Sequence, residues 1–180
     1  LLKYLIKHGH WSPFEMVSVT LEIQTTRDIS HQIVRHRSFS FQEFSQRYAE
    51  ANTYEIREAR MQDPKNRQNS IKLDRRKAED VRLSEKFNMA QHKVISLTRE
   101  VYECALENGI AKEQARSVLP EGMTGTTLYM AGTLRSWIHY CELRMANGTQ
   151  EEHADIAKEC WNIIGGHFPS VREAMSDRMG

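Results

Sequence analysis

The chain is short of several features that would have narrowed its function at once. It has three cysteines, Cys104, Cys141 and Cys160, an odd number with no CxxC spacing. They read as reduced thiols in a cytoplasmic setting rather than as a disulfide frame. No long apolar run suggests a transmembrane span, and the start does not read as a signal peptide. There is no basic excess either: 25 Lys and Arg stand against 24 Asp and Glu, leaving a net charge of +1. A general polyanion binder carries such an excess, so any cationic chemistry here must be local. The first residue is Leu, and a truncated N-terminal edge is expected. The 180 residues are enough for a single domain over 1–180, or for one subunit of a larger assembly.

What is present is a set of well-marked periods. Leu1, Leu2, Leu5 and Ile6 have helical spacing, with Gly9 as a stop. In "EMVSVTLEIQT", Val17, Val19, Leu21 and Ile23 alternate with Ser18, Thr20 and Glu22, which predicts a half-buried strand. Thr26 then caps a helix expected over Arg27 to Arg37, with Ile29 and Ile33 as its apolar contacts. Phe39 to Tyr48 reads as extended, and residues 52–77 as a long surface loop with some helix. Asp74 to Glu107 reads as one or two helices ended by Asn108-Gly109. Their apolar positions include Val81, Phe87, Val94, Leu97, Val101 and Leu106. A short helix stopping near Pro120, a turn and strand in "EGMTGTTLYMAG", and a helix from about Thr133 to Ala146 follow. "TQEE" (Thr149 to Glu152) and "SVRE" (Ser170 to Glu173) both have the form of a capping box. Helices mixed with a few strands, without βαβ alternation, predict an α+β fold.

The chemistry concentrates in "VRHRSFSFQEFSQRYAE", Val34 to Glu50. If the segment after Phe39 is a strand, Glu43, Ser45 and Arg47 share one side of it, an acceptor, a hydroxyl and a bidentate donor. Gln32 lies three residues before Arg35 and four before His36, so a continuing helix presents all three on one face. At about 6 Å and an effective dielectric of about 20, two guanidiniums repel by roughly 3 kcal/mol. In a half-buried pocket a phosphate or another anion is their natural partner. On an exposed helix the same Arg-His-Arg is only a solvated face. His8, His10, His31 and His36 lack HExxH spacing, so no metal site is expected. Ser45 has neither a GxSxG context nor a sequence-local base, which speaks against a serine nucleophile.

Arg35-His36-Arg37, seven residues and then Ser45 resembles the signature of the flavin-dependent thymidylate synthases. "GHWSPFE" at Gly9 to Glu15, "KNRQNS", "ARSVLP", "LRSWIHYCELR" and "TQEE" resemble further blocks of that family, in order and over nearly the whole chain. The resemblance implies a small, mostly antiparallel sheet with flanking helices, in a homotetramer whose active sites are shared between subunits. It implies a methyltransferase that converts dUMP to dTMP, with FAD as cofactor and with NADPH and 5,10-methylenetetrahydrofolate as co-substrates. The cofactor does the redox chemistry while the protein binds and orients.

Carried over position by position, the resemblance makes Ser12, Arg35, His36, Arg37, Glu43 and His139 flavin-contacting residues. Gln32, Ser45, Arg47, Arg116 and Arg144 become the dUMP set. Arg47 and Arg116 suit the phosphate, since a planar fork matches its oxygens. Arg144 is placed near the uracil, where a fixed cation stabilises charge developing on the ring. Arg144 and Ser45 are thus the residues tied to the chemistry, Ser45 as a ligand contact rather than a nucleophile. His10 falls on the flavin and folate side or is simply structural. His139 and Thr133 depart from the family pattern, each standing where relatives often have Asn. On the helix carrying "LRSWIHYCELR", Arg135 and His139 share a face while Arg144 points roughly opposite, which predicts two surroundings for one helix. Two other readings stay open: a single-stranded nucleic-acid-binding module with Phe39, Phe41 or Tyr48 stacking bases, and a flavoprotein that reduces another substrate.

Overall fold

The alternation that opens the chain becomes strand β1, Ser18–Thr26, in a computed structural model that describes residues 1–179. β1 is preceded by helix α1 (Leu2–Lys7) and a 3-10 turn at Ser12–Met16. It is followed by α2 (Arg27–Ile33), β2 (Ser40–Glu43), β3 (Arg60–Gln62), β4 (Ser70–Lys72) and α3 (Ala78–Glu107). Next come α4 (Lys112–Ala115), a 3-10 turn (Arg116–Val118), β5 (Gly125–Thr133) and α5 (Leu134–Met145). The chain closes with α6 (Glu151–His167), α7 (Pro169–Ala174) and α8 (Ser176–Met179). The strands form a three-stranded sheet in the order β1-β5-β2 and an antiparallel hairpin in which Met61 pairs with Ile71. This is the α+β class that the mixed periods predict. No helix among the described residues is long and apolar enough to cross a membrane.

The chain groups into two compact units. The first comprises residues 1–23, 33–42 and 129–180. Its core is aromatic and aliphatic: Trp137, Ile138, Met130, Ile164 and Met175 are almost wholly buried. The Trp137 indole donates to the Val19 carbonyl at 3.0 Å, which satisfies its one polar atom inside that core. Gly132 is needed where it stands, because a Cβ there would collide with the Phe39 ring. Thr133 caps α5, its hydroxyl accepting the Ser136 amide at 3.3 Å, so the residue that departs from the family pattern has a local structural task.

The second unit comprises residues 24–32 and 43–128. The 30-residue α3 is a single helix that buries Gln91, Ile95, Thr98 and Tyr102. It ends at Asn108, whose side chain donates back to the Cys104 carbonyl, and Gly109 takes the left-handed turn with φ +77°. Arg57 ties this unit together, donating to Asp28 at 2.9 Å, to the Gly122 carbonyl at 3.2 Å and to the Thr26 hydroxyl. The Gln91 amide closes the same knot on the Arg57 backbone from both sides.

Several expectations need correction. α2 stops at Ile33 rather than Arg37: the amide of His36 bonds back only three residues, to the Ile33 carbonyl, and starts a turn. Gln32 therefore sits on a helix while Arg35 and His36 do not, and the shared face does not exist. β2 stops at Glu43, and Ser45 to Ala49 is a turn in which the Tyr48 and Ala49 amides both bond to the Ser45 carbonyl. Glu43, Ser45 and Arg47 are thus not one strand face. Residues 52–77 hold the β3–β4 hairpin instead of helix. Neither capping box forms. α6 begins one residue later than "TQEE" requires, behind Gln150 and a turn in which Gly148 has φ +92°. α7 starts at Pro169, a favoured first-turn residue, and so takes Ser170 inside the helix.

Candidate active site

In the first unit the site residues gather on α5 and the turn after α2. Arg144 donates its Nε–H to His36 Nε2 at 2.8 Å. The imidazole can accept only if it is neutral, with its proton on Nδ1. Burial, and then the Arg144 charge, lower the His36 pKa to about 4, in keeping with that role. His36 stands edge-on to Tyr140, with ring centroids 4.9 Å apart. Tyr140 is buried, and its hydroxyl lies 3.1 Å from His153 Nε2. Burial pushes the Tyr140 phenol well above its ordinary range. Burial, then Arg144 and His36, bring His153 down to about 4. Arg144 is therefore a half-buried cation fixed by neutral rings. Among the described residues no carboxylate pairs with it.

The opposite side of α5 serves other neighbours. Arg135 is ion-paired with Glu15, and His139 packs edge-on against Trp11 at 4.5 Å. Both look onto the 3-10 turn that begins with Ser12, so the two surroundings expected along this helix are present. Burial first, then the Arg135 charge, lower the His139 pKa. Ser12 itself is exposed, as are Arg35 and Arg37, and the described residues offer those two guanidiniums no ion pair. His10 is exposed beside Tyr4 and His8 in a small ring cluster.

In the second unit a cavity of 530 Å³ is lined by Arg27, His31, Gln46, Glu113, Arg116 and Glu121, among others. A neighbouring cavity of 390 Å³ includes Gln24, Thr25, Ser45 and Thr126, and Gln46 lines both. The buried Nε2 of Gln46 has no hydrogen-bond partner among the described residues, so an amide donor is left for a ligand. Arg47 is held by Glu113 at 3.3 Å, and its amide donates to the Ser45 hydroxyl at 3.3 Å. Among the described residues Arg116 makes only a long contact, 3.4 Å, to the Glu113 carbonyl. Glu43 accepts from Arg27 at 2.9 Å and from the Thr126 hydroxyl at 2.9 Å, so it fixes a cavity-lining guanidinium. Gln32, the last residue but one of α2, is half-buried in the same unit.

The structure thus brings Arg144 and His36 together, and separately gathers Ser45, Arg47, Glu43 and Arg116 around two cavities. Sequence reasoning missed Arg27, His31 and Glu113. Arg27 and His31 are four apart on α2, a spacing that could have shown a second cationic face. Glu113 left no signal, because only tertiary folding brings it to Arg47.

Over residues 1–170 the chain matches the family described as "Thymidylate synthase complementing protein". A flavin-dependent thymidylate synthase of Synechocystis sp. is 54% identical over 177 residues, 97% of this chain and 79% of the relative. A probable flavin-dependent thymidylate synthase of Paramecium bursaria Chlorella virus 1 is 52% identical over 176 residues, again 97% of this chain and 79% of the relative. In fold the chain is similar to the crystal structure of a UMP/dUMP methylase, PolB from Streptomyces cacaoi, bound with 5-Br UMP. That likeness has a TM-score of 0.81 at 24% identity, over 99% of this chain and 82% of the other. With the arginine-rich segment in place on that fold and these matches along its length, the chain belongs to the flavin-dependent thymidylate synthases.

Proposed function

We propose that this enzyme carries out the reductive methylation of dUMP to dTMP, taking the carbon from 5,10-methylenetetrahydrofolate and reducing equivalents from NADPH. Arg116 and Arg47 bind the nucleotide phosphate, with the Ser45 hydroxyl and Gln32 as further contacts. Arg144 lies at the uracil, where its charge offsets the negative charge that develops on the ring. The observation that carries this reading is the setting of Arg144: a cation fixed by a neutral imidazole keeps its full charge for a ligand. A cation fixed by a carboxylate would already be neutralised.

The residues also fit an FAD. Its diphosphate needs cations and hydroxyls, and Arg35, Arg37 and Ser12 are exposed, the two arginines without ion pairs among the described residues. When bound, the flavin supplies the redox chemistry. His36 and His139 are neutral rings suited to packing and hydrogen bonding beside it, and Glu43 acts through Arg27. Each active site draws on several subunits of a homotetramer.

Two experiments test this. The purified protein should show a flavin spectrum that dUMP perturbs, and it should release tritium from [5-³H]dUMP when folate and NADPH are supplied. A yellow protein indifferent to dUMP would point to another substrate, and a colourless one that binds single strands would end the proposal. For shared sites, inactive Arg144→Ala and Arg35→Ala chains should regain activity when mixed. Verified hybrids without activity would count against sharing.

A further inference from the structure

Tyr140 and His153 turn a hydroxyl and an imidazole toward each other inside a core of aromatic and aliphatic side chains. Tyr140 is 2% exposed and His153 0%, and the hydroxyl lies 3.1 Å from Nε2. The Phe39 and Trp137 rings stand edge-on to Tyr140, their centroids 5.9 and 5.8 Å from it. In such a place two apolar side chains of the same shape would serve stability about as well, so stability alone does not account for the bond. What the bond adds is direction, because a satisfied buried polar pair permits one arrangement where apolar contacts permit several.

That direction is handed on. Tyr140 and Arg144 are one turn apart on the same face of α5, and His36 lies against both. The His36 ring is edge-on to Tyr140 at 4.9 Å and nearly perpendicular to His153, with centroids 6.3 Å apart. Its Nε2 accepts the Arg144 Nε–H at 2.8 Å. Held through Nε alone among the described residues, the guanidinium has its plane set and keeps both Nη groups for a ligand. His153 is the third residue of α6, so its bond also fixes the start of that helix against α5.

We propose that Tyr140 and His153 are positioning residues, whose bond sets the His36 ring and through it the angle of the Arg144 guanidinium. The proposal rests on the reading of Arg144 as the cation at the uracil. Both residues are buried, so they act through His36 and not by contact with a ligand. Burial above all keeps the phenol protonated and His153 neutral, so the pair puts no charge beside Arg144 that would compete with its own. An error of angle matters most when negative charge develops on the ring, so its cost falls on kcat rather than on KM.

The test measures tritium release from [5-³H]dUMP by the flavin-loaded enzyme. Tyr140→Phe and His153→Leu should each lower kcat by roughly 10-fold, the scale of a sub-ångström misplacement, with KM for dUMP unchanged. The double variant leaves no orphaned polar atom, so it folds even where a single change does not. It should lose no more than either single change, since one bond is removed in all three. His153→Gln, whose amide reaches the hydroxyl as donor or acceptor, should keep the wild-type rate. A second measurement needs no substrate. In protein labelled with ¹⁵N-histidine, the His36 ring (assigned by its absence from His36→Gln) should show one protonated and one bare nitrogen. In the double variant the two signals should move toward the average of an imidazole exchanging between tautomers. Four results would overturn the proposal: a double variant with wild-type kcat, a loss confined to KM, a His153→Gln enzyme as slow as His153→Leu, or His36 signals that the double substitution leaves unchanged. A wild type that releases no tritium overturns the reading of the reaction instead, and the His36 signals then decide the positioning on their own.

Discussion

Arg144 in the first unit and the arginines beside the cavities of the second are held in opposite ways. In the first, Arg144 meets neutral rings: His36 accepts its Nε–H, and His153 and Tyr140 are buried beyond it. In the second, Arg27 is matched by Glu43 and Arg47 by Glu113. A guanidinium against an imidazole lowers the imidazole pKa and stays an uncompensated charge. A guanidinium against a carboxylate is positioned at the expense of its field. The first arrangement suits stabilising charge that appears during a reaction, and the second suits binding an anion that is already charged, by exchanging partners.

The sharpest way to break this contrast is at Arg144. Arg144→Ala should reduce tritium release by about 10²–10³-fold while the flavin spectrum persists, because a donor aimed at developing charge is lost. An effect confined to KM would place Arg144 with the binding arginines instead. Next, Arg116→Ala should weaken dUMP binding, read from the flavin perturbation, by roughly 10- to 100-fold, the worth of a hydrogen bond to a charged group. Deoxyuridine, which has no phosphate, should not respond to that change. Glu113→Gln should act in the other direction. With Arg47 released from an exposed pair, dUMP should bind about 2- to 5-fold more tightly, an advantage that fades as salt is raised.

The smallest effect concerns pH. His36 and His153 have folded pKa values near 4, below their ordinary value, so below about pH 6.5 the unfolded chain binds protons that the folded chain refuses. Stability from these two groups is intact above about pH 6.5 and is lost progressively toward pH 4. Thermal melts across that window should show a falling midpoint. In Arg144→Ala the fall should be shallower, since one cause of both depressions is gone.

The regular elements were legible where one face is buried. β1 shows its alternation because Val19, Leu21, Ile23 and Thr25 are turned inward while Ser18, Thr20, Glu22 and Gln24 are exposed, and α5 shows its span because Trp137, Ile138 and Cys141 are buried. The β3–β4 hairpin gave no such signal, since Met61 and Ile71 are both about half exposed and no buried face imposes a period. The early end of α2 was equally silent, because His36 leaves the helix for partners on α5, more than a hundred residues on. The motif arginines could be found from sequence, but which anion or ring holds each of them could not, because those partners come from distant segments. The apolar positions of α3 were visible too. Which of its faces turns inward is decided by neighbours that the sequence of the helix does not contain.

Gly132 has a reach out of proportion to its size. The Phe39 ring occupies the space its missing side chain leaves, and that ring stands edge-on to Trp137 at 5.0 Å and to Tyr140 at 5.9 Å. Tyr140 in turn backs the imidazole that steers Arg144. A single methyl group at position 132 would push on that row of rings one after another, and the guanidinium at its far end would lose its aim although no polar atom had been changed.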